Sequence, residues 1–254
     1  NHSMPLRPQR WCLGLIILAA LTAFSTSQSY AGLMGPVLDN GNELFADAIQ
    51  EFDTYGQDQG NPSILTMAGM RVTAYFSGGF SPTTGIWDDS VGRATAGGWE
   101  LLQTGHTFDY PLESSRWTLN NFANVSGRRL TRLRIEAWRG DVVFDRVLSD
   151  PLNSTPGSKE GRSITVIGDG GFSGGDVTAY YRRPVGVGGS APVGDLYGEL
   201  DLFFGSGGLA SDGTGTFEFW ADTDNVLNAV PEPSSGLACL ALLAVGIMRR
   251  RRAS

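Results

Sequence analysis

The sequence predicts an all-β protein, a single β-sandwich or jelly roll, and three observations carry that expectation. Apolar and polar residues alternate with period two over many short stretches; glycine is abundant, 35 of 254 residues; and turn-forming clusters separate the stretches. An apolar residue at every second position lines one face of a strand, and a cluster of Gly, Pro, Asn, Asp or Ser ends it. Met70, Val72, Ala74 and Phe76 alternate with Arg71, Thr73 and Tyr75, and Leu133, Ile135 and Ala137 alternate with Arg132, Arg134 and Glu136. Further strands are expected over residues 99–102, 117–122, 142–148, 163–167, 176–181, 197–204 and 216–220. Turns such as Ser77-Gly78-Gly79, Thr155-Pro156-Gly157 and Ser211-Asp212-Gly213 divide them. Two stretches depart from this pattern. Leu44, Phe45, Ala48, Ile49 and Phe52 recur at helical spacing, which predicts a short amphipathic N-terminal helix, and residues 184–192, rich in Pro and Gly, predict a long mobile loop.

Taken in order, residues 4–31 have the layout of a secretory signal peptide. Arg7 and Arg10 form a basic start, residues 13–23 an apolar run, and Ser29-Tyr30-Ala31 a small-x-small cleavage site for signal peptidase, marked by Ser29 and Ala31. Residues 32–229 then form one body, long enough for a single β domain with a sufficient core. Cys12 and Cys239 are the two cysteines of the chain and both lie outside that body, so core burial and not disulfides must hold it together. The body carries 13 basic against 25 acidic residues, a net charge of −12. That charge repels nucleic acid and suits solubility outside the cell.

Residues 230–254 are of a different kind. Pro231-Glu232-Pro233 is followed by an apolar run over residues 236–248 and then by Arg249, Arg250, Arg251 and Arg252. Thirteen helical residues reach about 20 Å, short of a bilayer core of about 30 Å. Such a segment suits a transient membrane contact better than a permanent anchor. The arginines supply the cytoplasmic charge that orients it, and the prolines keep the preceding stretch extended and open to an enzyme. The Pro-Glu-Pro motif, apolar helix and terminal arginine cluster, in that order, resemble the PEP-CTERM sorting signal. The resemblance implies recognition by a membrane-embedded exosortase, removal of the tail near the motif and delivery of the body to the secreted fraction or the cell surface of a Gram-negative-type, polysaccharide-producing bacterium. It covers about 25 residues and says nothing of what the body does.

Several patterns in the body bear on chemistry. Gly171-Phe172-Ser173-Gly174-Gly175 fits G-x-S-x-G, but a nucleophile elbow requires a helix after the serine, and a strand is expected there; the body also has a single histidine, His106. Glu199-Leu200-Asp201-Leu202 resembles the first part of the E-x-D-x-E signature of laminarinase-like glucanases. Phe203 and Phe204 stand where the acid/base glutamate should fall, so hydrolysis would need a carboxylate from elsewhere, and a half-buried strand with a solvated acidic face is the leading reading. Asp222-Thr223-Asp224-Asn225 is expected to follow the last strand, where Asp222, Asp224 and Asn225 either offer oxygen ligands to calcium or close an acidic turn. Trp138, on the arginine side of its strand with Arg132 and Arg134, is the candidate glycan face, since a flat ring covers the apolar side of a sugar. These arginines continue a cluster begun by Arg128 and Arg129.

The expectation is therefore an exported, exosortase-sorted, non-catalytic β-sandwich of the extracellular matrix or biofilm, associated with polysaccharide. It needs no cofactor beyond a possible calcium ion, contacts the membrane transiently and binds no nucleic acid. A degenerate jelly-roll glycoside hydrolase and a lectin-like carbohydrate-binding module are the alternatives.

Overall fold

The structure, a computed structural model, describes residues 43–50, 54–60, 65–107, 116–122, 127–146, 154–155, 158, 161–167, 176–205, 207–211 and 215–227. The predicted signal peptide with Ser29 and Ala31, the G-x-S-x-G stretch, and the predicted sorting tail with Pro231, Glu232, Pro233 and Arg249, Arg250, Arg251 and Arg252 lie outside the described residues.

Fourteen strands are described: β1 (Leu44–Ala46), β2 (Ala48–Gln50), β3 (Arg71–Phe76), β4 (Thr83–Ile86), β5 (Arg93–Ala96), β6 (Trp99–Leu102), β7 (Trp117–Asn121), β8 (Leu130–Glu136), β9 (Val142–Asp145), β10 (Thr165–Val166), β11 (Val177–Val187), β12 (Leu196–Phe204), β13 (Gly215–Trp220) and β14 (Asp222–Leu227). They form two sheets. One runs β2-β14-β9-β12-β8-β3-β4, with β11 paired to β12 and β1 to β11; the other runs β10-β13-β7-β6-β5. Among the described strands every pairing is antiparallel except β1 with β11. The molecule is an all-β sandwich, as the alternation and glycine-rich turns predicted.

The core lies between the sheets. Val72 and Ala74 of β3, Leu133 and Ile135 of β8, and Leu200 and Leu202 of β12 face Trp99, Leu101, Trp117, Leu119, Phe217 and Phe219 of the smaller sheet, all of them buried. Trp117 stacks on Phe219 at 5.7 Å and 12°, and Phe204 meets Phe217 edge-on at 5.1 Å. Three buried indole N–H groups find acceptors: Trp87 donates to the Gly56 carbonyl at 2.7 Å, Trp99 to the Thr83 hydroxyl at 2.7 Å and Trp117 to the Ala221 carbonyl at 3.1 Å. This lets large rings fill the core without stranding a buried polar group.

The predicted N-terminal helix is not formed; residues 44–50 make β1 and β2. Leu44, half-buried, opposes Val185, and Ile49, buried, opposes Val226, while Phe45 is 40% exposed and Phe52 lies outside the described residues. Ala46, Ile49, Val143, Val185, Val187, Leu196 and Val226 form a second, smaller apolar cluster, with Leu44 packed against it. The predicted mobile loop over residues 184–192 is also corrected. Residues 184–187 continue β11, with Val185 and Val187 buried, and only Gly188 and Gly189 turn the chain with positive φ. Arg183 adopts φ +60°, and across this irregularity Tyr181 packs in the main core while Val185 packs in the second cluster. Gly198 lies between the partners of Arg182 and Pro184; a Cβ there would fall 2.5 Å from Leu44 Cδ1 and 3.1 Å from Trp138 Cβ.

Candidate ligand-binding face and sorting signal

Because the inward positions of β3, β8, β12 and β11 are apolar, alternation turns the intervening residues onto the outer face of the larger sheet. The register arranges them in rows. Arg71, Glu136, Glu199 and Arg182 make one row across the four strands; Thr73, Arg134, Asp201 and Tyr180 make the next; Tyr75, Arg132, Phe203 and Thr178 make the third.

Asp201, with 0% exposure, is the centre of this face. Arg132 donates to both its carboxylate oxygens, Nε at 2.9 Å and Nη2 at 2.7 Å, and Arg182 Nε donates to Oδ2 at 2.6 Å. Arg134 reaches the same carboxylate at 3.3 and 3.4 Å and lies 3.3 Å from Glu199 Oε1. Arg71 grips both oxygens of Glu136 with its guanidinium fork, and Arg139 lies 3.8 Å from the same carboxylate. Burial alone pushes the Asp201 carboxyl up, but its bonds to Arg132 and Arg134 outweigh this and hold it below the usual range. Glu199 goes the other way: burial raises it, Arg134 only partly offsets that, and the neighbouring Glu136 and Asp201 carboxylates add to the rise. Burial works against the Arg134 charge too, yet Asp201 and Glu199 hold its proton more tightly than usual.

The expected solvated acidic face is thus corrected: Glu199 and Asp201 are buried under arginines from neighbouring strands. Aromatic rings fix those arginines further. The Arg132 guanidinium sits 4.7 Å from the Tyr75 ring centroid and 5.0 Å from that of Phe203. Trp138 lies beyond the end of β8, in a 3-10 turn over Ala137–Gly140, half-buried beside Gly198. The guanidiniums of Arg139 and Arg183 lie 3.7 and 4.4 Å from its ring. Its Nε1 is buried and has no hydrogen-bond partner among the described residues. The structure therefore brings Arg132 and Arg134 together, with Trp138 at the margin. It separates Arg128, stacked 3.7 Å over Phe76, and Arg129, which donates to the Gly207 and Gly208 carbonyls.

Sequence reasoning placed Glu136 with Arg132 and Arg134 but missed Arg71 and Arg182 as members of this face. Extending the alternation of 176–181 by one residue would have found Arg182. The partnership of Arg71 with Glu136 depends on strand pairing and had no local signal.

The calcium candidates do not converge. Residues 222–225 form most of β14, not a loop, and alternation sends Asp222 and Asp224 to one side and Asn225 to the other. Asn225 accepts from the Thr54 hydroxyl at 2.7 Å and donates to the Thr66 carbonyl at 3.1 Å. Among the described residues no group of three or more His, Cys, Asp or Glu is placed to hold a metal ion. Trp87, Trp99, Trp117 and Trp220 are buried, so the body's tryptophans do not form an exposed plane. His106 stacks on Tyr55 at 5.0 Å, and the stretch after G-x-S-x-G is β11, a strand.

The last described strand ends at Leu227, two residues before a recognisable segment begins. Residues 229–252 match the PEP-CTERM protein-sorting motif. This motif implies recognition by an exosortase and export to the cell surface or extracellular space. It takes in Pro231, Glu232, Pro233 and the arginines at 249–252, the residues that carried the resemblance. No curated protein and no solved structure matches the chain. No helix among the described residues is long and apolar enough to cross a membrane.

Proposed function

We propose that this chain is a non-catalytic matrix or surface protein, a β-sandwich that an exosortase delivers to the exterior of a Gram-negative-type bacterium after transient membrane anchoring and that associates there with extracellular polysaccharide. The observation that carries the reading is the direct succession of a disulfide-free sandwich and a PEP-CTERM motif, with Leu227 and residue 229 separated by one residue. An exported body without cysteines must rely on its packed core, and this one fills its core with tryptophan and phenylalanine. The test is fractionation of the producing organism. The protein is expected in the extracellular or surface fraction, with a mass lacking the tail, and to co-sediment with the organism's own polysaccharide. Retention of the intact tail would overturn the sorting part, and a supernatant free of polysaccharide-bound protein would overturn the association.

One observation favours a second reading. Glu136 stands directly opposite Glu199 across β8 and β12, supplying the further carboxylate that a glycoside hydrolase on this face would need. Both side chains are buried and held by arginines, Glu136 by Arg71 and Glu199 by Arg134, which leaves little room for a substrate between them. Release of new reducing ends from a β-glucan, abolished by Glu199→Gln, would replace the non-catalytic reading with this one.

A further inference from the structure

We infer that the outer face of β3, β8, β12 and β11 binds acidic polysaccharide, a carboxylate-bearing sugar polymer, through a layer of guanidiniums. The inference rests on the polysaccharide association proposed above and names its ligand class and its site.

Charge is segregated in a direction that favours such a ligand. Arg71, Arg132, Arg134, Arg139 and Arg182 are five of the body's 13 basic residues. They meet three carboxylates, Glu136, Glu199 and Asp201, so this group holds two surplus positive charges on a body of net −12. The two signs also differ in depth. The side chains of Glu136, Glu199 and Asp201 are 8%, 9% and 0% exposed, whereas those of Arg71, Arg132, Arg134, Arg139 and Arg182 are 39%, 22%, 31%, 43% and 16% exposed. An approaching polymer therefore meets guanidinium edges, with the neutralising carboxylates beneath them.

These guanidiniums are already oriented. Buried carboxylates hold Arg132, Arg134 and Arg182 from below, and Tyr75 and Phe203 flank Arg132. Little side-chain freedom is left to lose on binding, which is the usual cost of arginine contacts. Each guanidinium has about five N–H donors in a planar fork that matches a carboxylate, so a sugar carboxylate can be taken bidentately. The half-buried rings of Tyr75, Tyr180 and Phe203 lie among the arginines and offer apolar area to the faces of sugar rings. Four adjacent strands at about 4.8 Å spacing make a platform about 15 Å wide, suited to an extended chain and not to a pocketed small molecule. The rest of the body, at −14, disfavours the dense, uniform charge of nucleic acid or an anionic bilayer.

The test uses the exported protein recovered from its host, in co-sedimentation or calorimetry with polygalacturonate, a neutral β-glucan, duplex DNA and phosphatidylglycerol vesicles. Polygalacturonate is expected to bind, more weakly as salt is raised, and the pair Arg71→Gln with Arg139→Gln, the two most exposed arginines of this group, to weaken it about tenfold; the melting temperature is expected to fall, because the buried Glu136 loses both partners, with the protein still folded at the assay temperature. Should that variant unfold, Arg139→Gln alone, which leaves the Asp201 network whole, is expected to weaken binding severalfold. Equal binding of the neutral glucan, or binding untouched by both variants, would overturn the acidic-ligand inference and leave polysaccharide association standing. Equal binding of DNA or vesicles would overturn it in favour of unspecific charge. If neither polygalacturonate nor the glucan binds and the organism's own polysaccharide also fails to carry the protein down, the inference and the underlying reading fall together.

Discussion

Replacing Asp201 by Asn keeps the volume of the side chain and removes its charge, so it isolates the electrostatic work of the most buried carboxylate on the sheet face. Asp201 is 0% exposed and receives Arg132, Arg134 and Arg182; after the change three guanidiniums converge on a neutral amide. Removing one partner of a buried ion pair costs about 3–5 kcal/mol, because the remaining charge stays desolvated. Here the guanidiniums are 22%, 31% and 16% exposed, so water screens part of the loss and the low end, about 3 kcal/mol, is expected. For a body of this size each kcal/mol shifts the melting temperature by about 2–4 °C, giving a drop of about 6–12 °C. Thermal and urea unfolding followed by tryptophan emission reads this directly, since Trp87, Trp99, Trp117 and Trp220 pass from a packed core into water. A drop under about 2 °C would refute the argument that the arginine layer is anchored through Asp201.

Glu199 and Asp201 are expected to pull the pH dependence of stability in opposite directions. The Glu199 carboxyl is raised in the fold, so its contribution is fully present below the ordinary glutamate pKa of about 4.3 and is lost as pH rises through the raised value. The Asp201 carboxyl is depressed, so its contribution is present above about 3.9 and is lost as pH falls through the depressed value. Glu199→Gln should therefore flatten the fall in stability above mildly acidic pH and spare the acid limb; urea midpoints across the range check this, and an unchanged profile would count against the assignment. Gly198→Ala places a Cβ 2.5 Å from Leu44 Cδ1 and 3.1 Å from Trp138 Cβ, so loosening of β1 and a loss of about 1–3 kcal/mol are expected, measured by urea unfolding and by faster amide exchange at residues 44–46. Trp117→Ala removes a fully buried ring that touches Trp87, Phe144 and Phe219, and should cost about 3–5 kcal/mol in the same unfolding measurement.

Where a strand buries one face against the core, its signal is local, and β3, β6, β7, β8, β12 and β13 were legible from alternation alone. β4, Thr-Thr-Gly-Ile, has a single buried position, Gly85, whose missing Cβ admits the Thr95 backbone at 2.8 Å; no apolar pattern announces such a strand. β14 reads as an acidic loop because Asp222, Thr223, Asp224 and Asn225 are all polar, yet all four are buried: Thr223 pairs with the Thr107 hydroxyl at 2.9 Å, and Asn225 with Thr54. β1 and β2 mimic a helix because their apolar residues serve two neighbouring strands in turn.

The sorting motif and the all-β class were legible in the chain itself. A PEP-CTERM motif is a linear stretch, and strand alternation is a relation between neighbours in sequence. What only the tertiary structure decided is the character of the outer face. Glu199 and Asp201 share one strand, but the arginines that pair with them stand 19 to 69 residues away on β11 and β8 and meet them through register. A carboxylate's solvation and proton affinity depend on those through-space neighbours, which the sequence does not order, so a solvated acidic strand and an arginine-covered one look alike until the sheet is assembled.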